Sequence, residues 1–281
     1  MNTPLFSLLI AQYNNGKYFE DCYNSIMAQT YQNWEVIIVD DCSTDDSVAV
    51  MKRIIGGDSR FKIEINDKNR GCGFTKRRCA ELASGEICAF LDPDDAITEE
   101  AISVMIAEHE KHPEASAIYS KPYICDEFLK IQSESTSYQI ENSNPYFFDF
   151  EGKIFAFLSY KKESYNSTEG ISTYLQRAID KDLVLKLYET GPCLLVDKAM
   201  YKYRLHNTGI STNTNHDKAY FWFWVAIIDA AKRRNVNVEN IYIEKSKSRK
   251  EISLQKEIDS YNRSVIFKIL RKFGIFKVKN Q

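Results

Sequence analysis

No stretch of this 281-residue chain approaches the roughly 20 consecutive apolar residues of a membrane span. The opening, MNTPLFSLLIAQYNN, holds an apolar run too short for a secretory leader and lacks its basic flank. Net charge is also scarce: the formal value of -2 argues against a general nucleic-acid-binding surface. The seven cysteines (22, 42, 72, 79, 88, 125, 193) are odd in number, show no CxxC spacing and lie mostly in apolar contexts. They point to structural thiols in a reducing compartment, not to a disulfide framework. Internal repeats are absent, as is a Gly-rich, Lys/Arg-bearing phosphate loop near the N-terminus. What remains is 44% apolar, enough for a substantial core in one large domain or two smaller ones. The expectation is a soluble, cytoplasmic, globular protein.

What is present is alternation. FSLLIA (6–11) is a short apolar run, followed by Phe19, Cys22, Tyr23, Ile26 and Met27 at the spacing of one helix face. WEVIIVD (34–40) reads as a buried strand. Ser43 or Thr44 then offers an N-cap, with Asp45 and Asp46 in the first turn. FKIEI (61–65) is a strand, and FTKRRCAELAS is a helix closed by Gly85. ICAFL (87–91) is the next strand. Thr98 would cap a helix carrying Ile102, Met105, Ile106 and His109, and SAIYS (116–120) completes the series.

Repetition of this kind predicts an α/β fold with a mostly parallel, Rossmann-like sheet flanked by helices. Ligands of such sheets bind beyond the carboxyl ends of the strands. That rule selects Tyr13-Asn14, Asp40-Asp41 and the turn Asp92 to Asp95. The segment 121–175 is richer in aromatics and weaker in periodicity. Further on come a helix around DKDLVLKLYE, a break at Gly191-Pro192, strands in CLLV and AMYKYRLH, a long amphipathic helix at 217–234 and a charged, helix-prone stretch at 239–262.

Three carboxylates within four residues, Asp92, Asp94 and Asp95, repel one another unless something positive sits among them. Carboxylates after a strand, with Pro93 fixing the turn, suit Mg2+ or Mn2+ held jointly with substrate phosphates. An acidic turn capping the next helix is the plain alternative.

The blocks QYNNGKYFEDCYNSIMAQTYQNWEVIIVDDCSTDDS and NRGCGFTKRRCAELASGEICAFLDPDD resemble the nucleotide-binding half of a family 2 glycosyltransferase with the GT-A fold. The likeness runs over about residues 5 to 120 and resumes at 176–212. It implies a nucleotide-sugar-binding half at 1–120, an acceptor and catalytic-base half at 121–216, and C-terminal helices with a basic tail at 217–281.

It also implies roles. Tyr13, beside Asn14, would stack on the base of the nucleotide-sugar, and Asp41 would accept from the base N3–H. Asp40 would support the same loop or cap the next helix. Asp94 or Asp95 would ligate Mn2+ or Mg2+, with Asp92 nearer the ribose or the ion's water. Cys42 stands where the family pattern has Gly. Lys76 keeps a basic residue in the segment after the NxG loop, assigned to donor binding, with a solvated helix face as its alternative.

The second-half pattern has an acidic pair opening a helix; here it reads Ile179-Asp180, so Asp180 stands alone as the expected base. Asp182 would lie about 200° further round the helix and is expected to cap or face solvent. His206 matches a position near the metal or diphosphate, and Arg204 would reach phosphate. His109 and His112, with no third ligand nearby, do not suit zinc.

The tail YNRSVIFKILRKFGIFKVKNQ (261–281) carries six Lys or Arg and no acid. It would lie on an anionic membrane or dock on the protein's own body. The resemblance implies an inverting, metal-dependent enzyme that takes a UDP-sugar, ahead of a dTDP-sugar, to a glycan or lipid-linked glycan acceptor, with no nucleic acid involved. An inactive nucleotide-sugar-binding protein of this fold and a nucleotidyltransferase are the alternatives.

Overall fold

The computed structural model describes residues 3–150, 152–154, 156–206 and 216–264. The basic segment 265–281 therefore lies outside the described residues. The chain divides into two compact units, Met1–Ala230 and Ala231–Gln281. Within the second, the charged stretch forms one long helix, α8 (Glu239–Arg263). No helix among the described residues is long and apolar enough to cross a membrane.

The first unit is built on a sheet whose early strands are β1 (Phe6–Gln12), β2 (Trp34–Asp40), β3 (Phe61–Ile65) and β4 (Ile87–Phe90). β1 pairs in parallel with β2 and with β4, and β2 in parallel with β3. All seven residues of β2 are buried, which is why its sequence is a continuous apolar run and not an alternating one. Successive side chains serve opposite faces. Leu8, Ile10, Val36 and Ile38 enter one core cluster with Phe19 and Ile26 of α1 (Phe19–Met27), Met51 of α2 (Ser47–Ile55) and Ile102 and Met105 of α4 (Ala101–Lys111). Leu9, Ile37 and Val39 enter the other, with Cys79 of α3 (Cys72–Leu82) and Leu183 and Leu187 of α6 (Ile179–Tyr188). Each fully buried aliphatic side chain contributes about 1.5–3 kcal/mol.

The remaining strands are β5 (Ala96–Ile97), β6 (Ala117–Cys125), β7 (Ile131–Glu134), β8 (Leu158–Lys161) and β9 (Cys193–Arg204). The path across the sheet is β3-β2-β1-β4-β8-β6-β9-β5, with β7 on β6. β8 runs antiparallel between β4 and β6. The short β5 pairs antiparallel with the end of β9, Ala96 opposite Lys202. The chain thus returns β9 directly onto the acidic turn. CLLV and AMYKYRLH, expected as separate segments, are one strand of 12 residues.

Several local expectations change. Neither Ser43 nor Thr44 caps α2; Asp46 is the N-cap, without a side-chain cap bond, and the two hydroxyls serve the rim loops instead. Gly85 does not close α3, which ends at Leu82; a Cβ at Gly85 would stand 2.5 Å from Ser7 Oγ and 2.6 Å from Leu5 O. Close approach to β1, not a left-handed cap, is what requires glycine there. Thr98 lies before α4, whose N-cap is Glu100.

In the aromatic-rich segment, Phe148, Phe157 and Tyr160 are core residues, whereas Tyr138, Tyr146 and Tyr174 keep over half their surface exposed. α5 (Lys162–Asn166) follows β8, and α7 (His216–Arg234) buries Trp224, Ala226, Ile227 and Ala230.

Candidate active site

The rim beyond the carboxyl ends of β1, β2 and β4 is laced together by side chains. Asn14, in the left-handed region at φ 49°, donates through its backbone N–H to Ser43 Oγ (2.9 Å), and its side-chain carbonyl accepts from Thr44 N–H (2.8 Å). Asp40 is fully buried and accepts from both the backbone N–H (2.7 Å) and the hydroxyl (2.5 Å) of Ser43. It therefore supports the loop and does not cap α2. Cys42 adopts φ 60°, the conformation that glycine takes at no steric cost. The turn keeps its glycine-like backbone without glycine. Tyr13 is 46% exposed at the end of β1 and is not a core aromatic.

Asp41 is more heavily used than expected. Its Oδ1 accepts from Asn66 Nδ2 and from Arg70 N–H, and its Oδ2 accepts from Gly71 N–H, each at 2.8 Å. A carboxylate offers about four lone-pair sites, so one acceptor position is left for a ligand. Asp41 thus shapes the loop that leads into α3.

At the acidic turn the three carboxylates have different partners. Asp95 is buried and accepts from the Tyr201 hydroxyl (2.7 Å) and from Arg204 N–H (2.8 Å). Burial, then Asp94 and Asp92, push its carboxyl well above the usual range, against the pull of those two donors. Asp94 or Asp95 was expected to ligate the metal; each Asp95 oxygen accepts one bond from β9, and these bonds brace the turn. Asp94 faces His206, whose Nε2 lies 2.7 Å from Oδ2, and both side chains are largely enclosed (20% and 6% exposed).

Asp92 lies in a recess with 42% of its side chain exposed, and its Oδ1 is 3.3 Å from Lys76 Nζ. Burial raises its pKa, Lys76 opposes this, and Asp180 and Asp94 add to the rise, leaving it above the usual carboxylate value.

Lys76 is the positive group among these acids. Its Nζ lies 2.7 Å from Asp180 Oδ1, joining residues 104 positions apart. Burial pulls the ammonium pKa down, but Asp180 and Asp92 outweigh it and hold Lys76 charged, well above the usual lysine value. Lys76 is not a solvated helix-face residue: its side chain is 6% exposed, while that of Asp180 is 74% exposed.

The α3–α6 contact that permits this pairing is made by the strap 169–175. Gly73 packs so closely under it that a Cβ would meet Leu175 O at 2.7 Å and Ser172 O at 2.8 Å. Arg77 Nη1 donates to Glu169 O and Ile171 O.

Two sequence expectations for side chains fail here. Arg204 does not reach into the rim: it is enclosed and donates to Asp94 O (2.5 Å), Glu127 O (2.6 Å) and Asp21 Oδ2 (2.8 Å). Asp182 is neither cap nor surface residue but fully buried against Lys186 at 2.9 Å. His109 and His112 have separate partners, Ser159 Oγ for one and Glu108 and Glu114 for the other.

Tyr201 and Tyr18 were not foreseen. Tyr201 hydroxyl also accepts from Asp92 N–H (3.3 Å), and the Tyr18 ring lies 4.9 Å from the His206 ring, tilted by 54°, with the Arg204 guanidinium 4.6 Å from its centroid. The alternation in AMYKYR placed Tyr201 and Tyr203 on one face, but only the β5–β9 pairing turns that face toward the acids.

Known proteins share this architecture. Chondroitin synthase of Escherichia coli is 28% identical over 208 residues, covering 74% of this chain and 30% of that protein. The chain spans about a third of the length of the curated relatives it matches. Among solved structures, S. aureus TarS 1–349 in complex with UDP-GlcNAc superposes with a TM-score of 0.63 at 21% identity, covering 79% of this chain and 66% of that one. The mannosyltransferase PcManGT from Pyrobaculum calidifontis, in complex with GDP-Man and Mn2+, has a TM-score of 0.58 at 14% identity, covering 88% and 81%. These two likenesses establish a GT-A glycosyltransferase fold. The family model for glycosyl transferase family 2 matches residues 7–174, more than half the chain, and the protein belongs to that family.

Proposed function

We propose that this chain is an inverting, metal-dependent glycosyltransferase that moves a sugar from a UDP-sugar to an acceptor hydroxyl in bacterial surface glycan assembly. The observation that carries the reading is the Lys76 bridge, which gathers the acidic turn at Asp92 and a solvent-facing carboxylate, Asp180, into one site. The UDP-GlcNAc complex of TarS supports the choice of donor class, and the glycan-forming relative supports the acceptor class.

Tyr13 would stack on the base, with Asn14, Asp40 and Asp41 shaping the pocket beneath it and Asp92 facing the ribose side. Asp94 carboxylate and His206 imidazole form a mixed oxygen and nitrogen donor pair that suits Mn2+, with Mg2+ as the alternative. Asp95, each oxygen of which accepts one bond from β9, would hold the turn in place beside them. When bound, the ion would supply Lewis-acid stabilisation of the charge developing on the leaving diphosphate.

Asp180 takes the proton from the acceptor hydroxyl as its oxygen bonds to C1 and the C1–diphosphate bond breaks. The exposed rings of Tyr138, Tyr146 and Tyr174 are available to acceptor sugars. The basic segment 261–281 would hold the enzyme at the cytoplasmic face of the membrane. A truncation ending near residue 260 should then lose sedimentation with anionic liposomes, and retained sedimentation would remove that contact.

A donor-binding protein without turnover is the second reading. It is favoured by Ile179, buried where the family pattern carries a second acid. The deciding experiment is nucleoside diphosphate release from UDP-, dTDP- and GDP-sugars with Mn2+, Mg2+ or EDTA, for the native protein, Asp94→Ala and Asp180→Asn. Metal-dependent release from a UDP-sugar, lost in both variants, is expected. UDP binding without any release would favour the second reading, and no UDP binding at all would refute both.

A further inference from the structure

We infer that Lys76 is a positioning residue for the base, holding the Asp180 carboxylate in register with Asp92, and is not a ligand of the donor phosphates. The inference rests on the glycosyl-transfer reading above and revises the donor-binding role that the sequence implied for Lys76.

The asymmetry of the pair carries the argument. Lys76 is enclosed and Asp180 is exposed (side chains 6% and 74%), so the cation is the fixed partner and the carboxylate the one being held. Asp180 is the second residue of α6, whose N-cap Ala178 sits in the left-handed region at φ 58°, and an exposed carboxylate there would otherwise sample several rotamers. The Lys76 stem is kept in place by its burial on α3 and by the Phe90 ring, whose centroid is 5.2 Å from Nζ.

The distance between the two helices is itself set. The strap 169–175 lies on Gly73 and Arg77 of α3, and Asp182 of α6 accepts from Ser172 N–H of the same strap at 2.8 Å. Nor is Lys76 a spare cation awaiting phosphate. A buried ammonium needs its compensating carboxylates, and giving up both would strand it. It is placed instead to keep the base aligned before donor and acceptor arrive.

The test uses the full chain and UDP release from the UDP-sugar that the native protein hydrolyses. UDP affinity comes from calorimetry with Mn2+, and folding from thermal unfolding. Lys76→Met keeps the apolar stem and removes the charge. Its kcat is expected to fall about 100-fold, with donor KM and UDP Kd within about three-fold of native, because a misplaced catalytic group loses rate without losing ground-state binding. Lys76→Arg keeps the buried charge but spreads it over a planar fork, and should lose about ten-fold in kcat at unchanged Kd. If Lys76→Met does not fold, Lys76→Arg decides alone.

Native kcat in either variant would overturn the inference. So would a rise of about ten-fold or more in UDP Kd or donor KM with kcat kept, the signature of lost uniform binding. A native protein that releases no UDP from any sugar fails before any variant is made; that result sinks the glycosyl-transfer reading and takes this inference with it.

Discussion

Asp182 and Lys186, one turn apart on α6, form an ion pair with side-chain exposures of 0% and 2%. Lys186 also donates to Gly170 O (2.7 Å) and Ser172 Oγ (2.8 Å), so the pair ties α6 to the strap at two points. Asp182 Oδ1 has no hydrogen-bond partner among the described residues, which makes this charge costly to hold. Asp182→Ala strands a buried ammonium and should cost about 3–5 kcal/mol. Asp182→Leu/Lys186→Met should cost less than the sum of the single changes. Urea denaturation of the three variants tests this, and additive losses would show that the two charges act independently.

The neighbouring acids Asp94 and Asp95 should separate function from stability. Asp95→Ala leaves Tyr201 O–H and Arg204 N–H without their acceptor, at about 1–3 kcal/mol for each stranded group. Asp94→Ala, with its side chain nearer the surface, should lose under about 1 kcal/mol while abolishing metal-dependent UDP release. Denaturation midpoints read beside turnover would show the contrast. Equal stability of the two variants would contradict the bracing role of Asp95.

Cys42 invites a stabilising change. Its left-handed backbone costs about 1–2 kcal/mol with a Cβ present, and glycine gives back about 0.5–1 kcal/mol through the freer unfolded chain. Cys42→Gly should therefore be neutral or more stable by up to about 1.5 kcal/mol, and the β-branched Cys42→Val should be clearly less stable. A large drop in Tm for Cys42→Gly would mean that packing of the thiol outweighs the backbone term.

His109 gives a pH signature. Burial, then the nearby Lys161 charge, lower its pKa to about 4, although Ser159 partly opposes them. Between about pH 6.5 and pH 4 the unfolded chain binds a proton that the folded one refuses. Stability due to this group is complete above 6.5 and is lost as pH falls, by roughly 3 kcal/mol at most. His109→Gln should flatten the stability profile over that window. Identical slopes in the two proteins would rule out His109 as the titrating group.

The early half of the protein was legible because its signals are local. Parallel strands covered on both faces must be apolar runs, helices between them must carry one apolar face, and polar residues after each strand must fall on one rim. FSLLIA, WEVIIVD and ICAFL therefore disclosed the sheet, and with it the neighbourhood of Tyr13, Asp41 and Asp92. Carboxylates at Asp94 and Asp180 were likewise singled out by their place in a recognisable pattern.

What the pattern leaves open is which partner each charged group takes. Asp94 and Asp95 are adjacent in sequence, and only the antiparallel return of β9 assigns one to Tyr201 and Arg204 and the other to His206. Lys76 could have faced water on an isolated helix. The close seat of the strap on Gly73 brings α6 against α3 and turns it into the bridge between Asp92 and Asp180. Residue type and local period determined the elements and their rim. Long-range packing, which decides what each buried charge must pair with, determined the site.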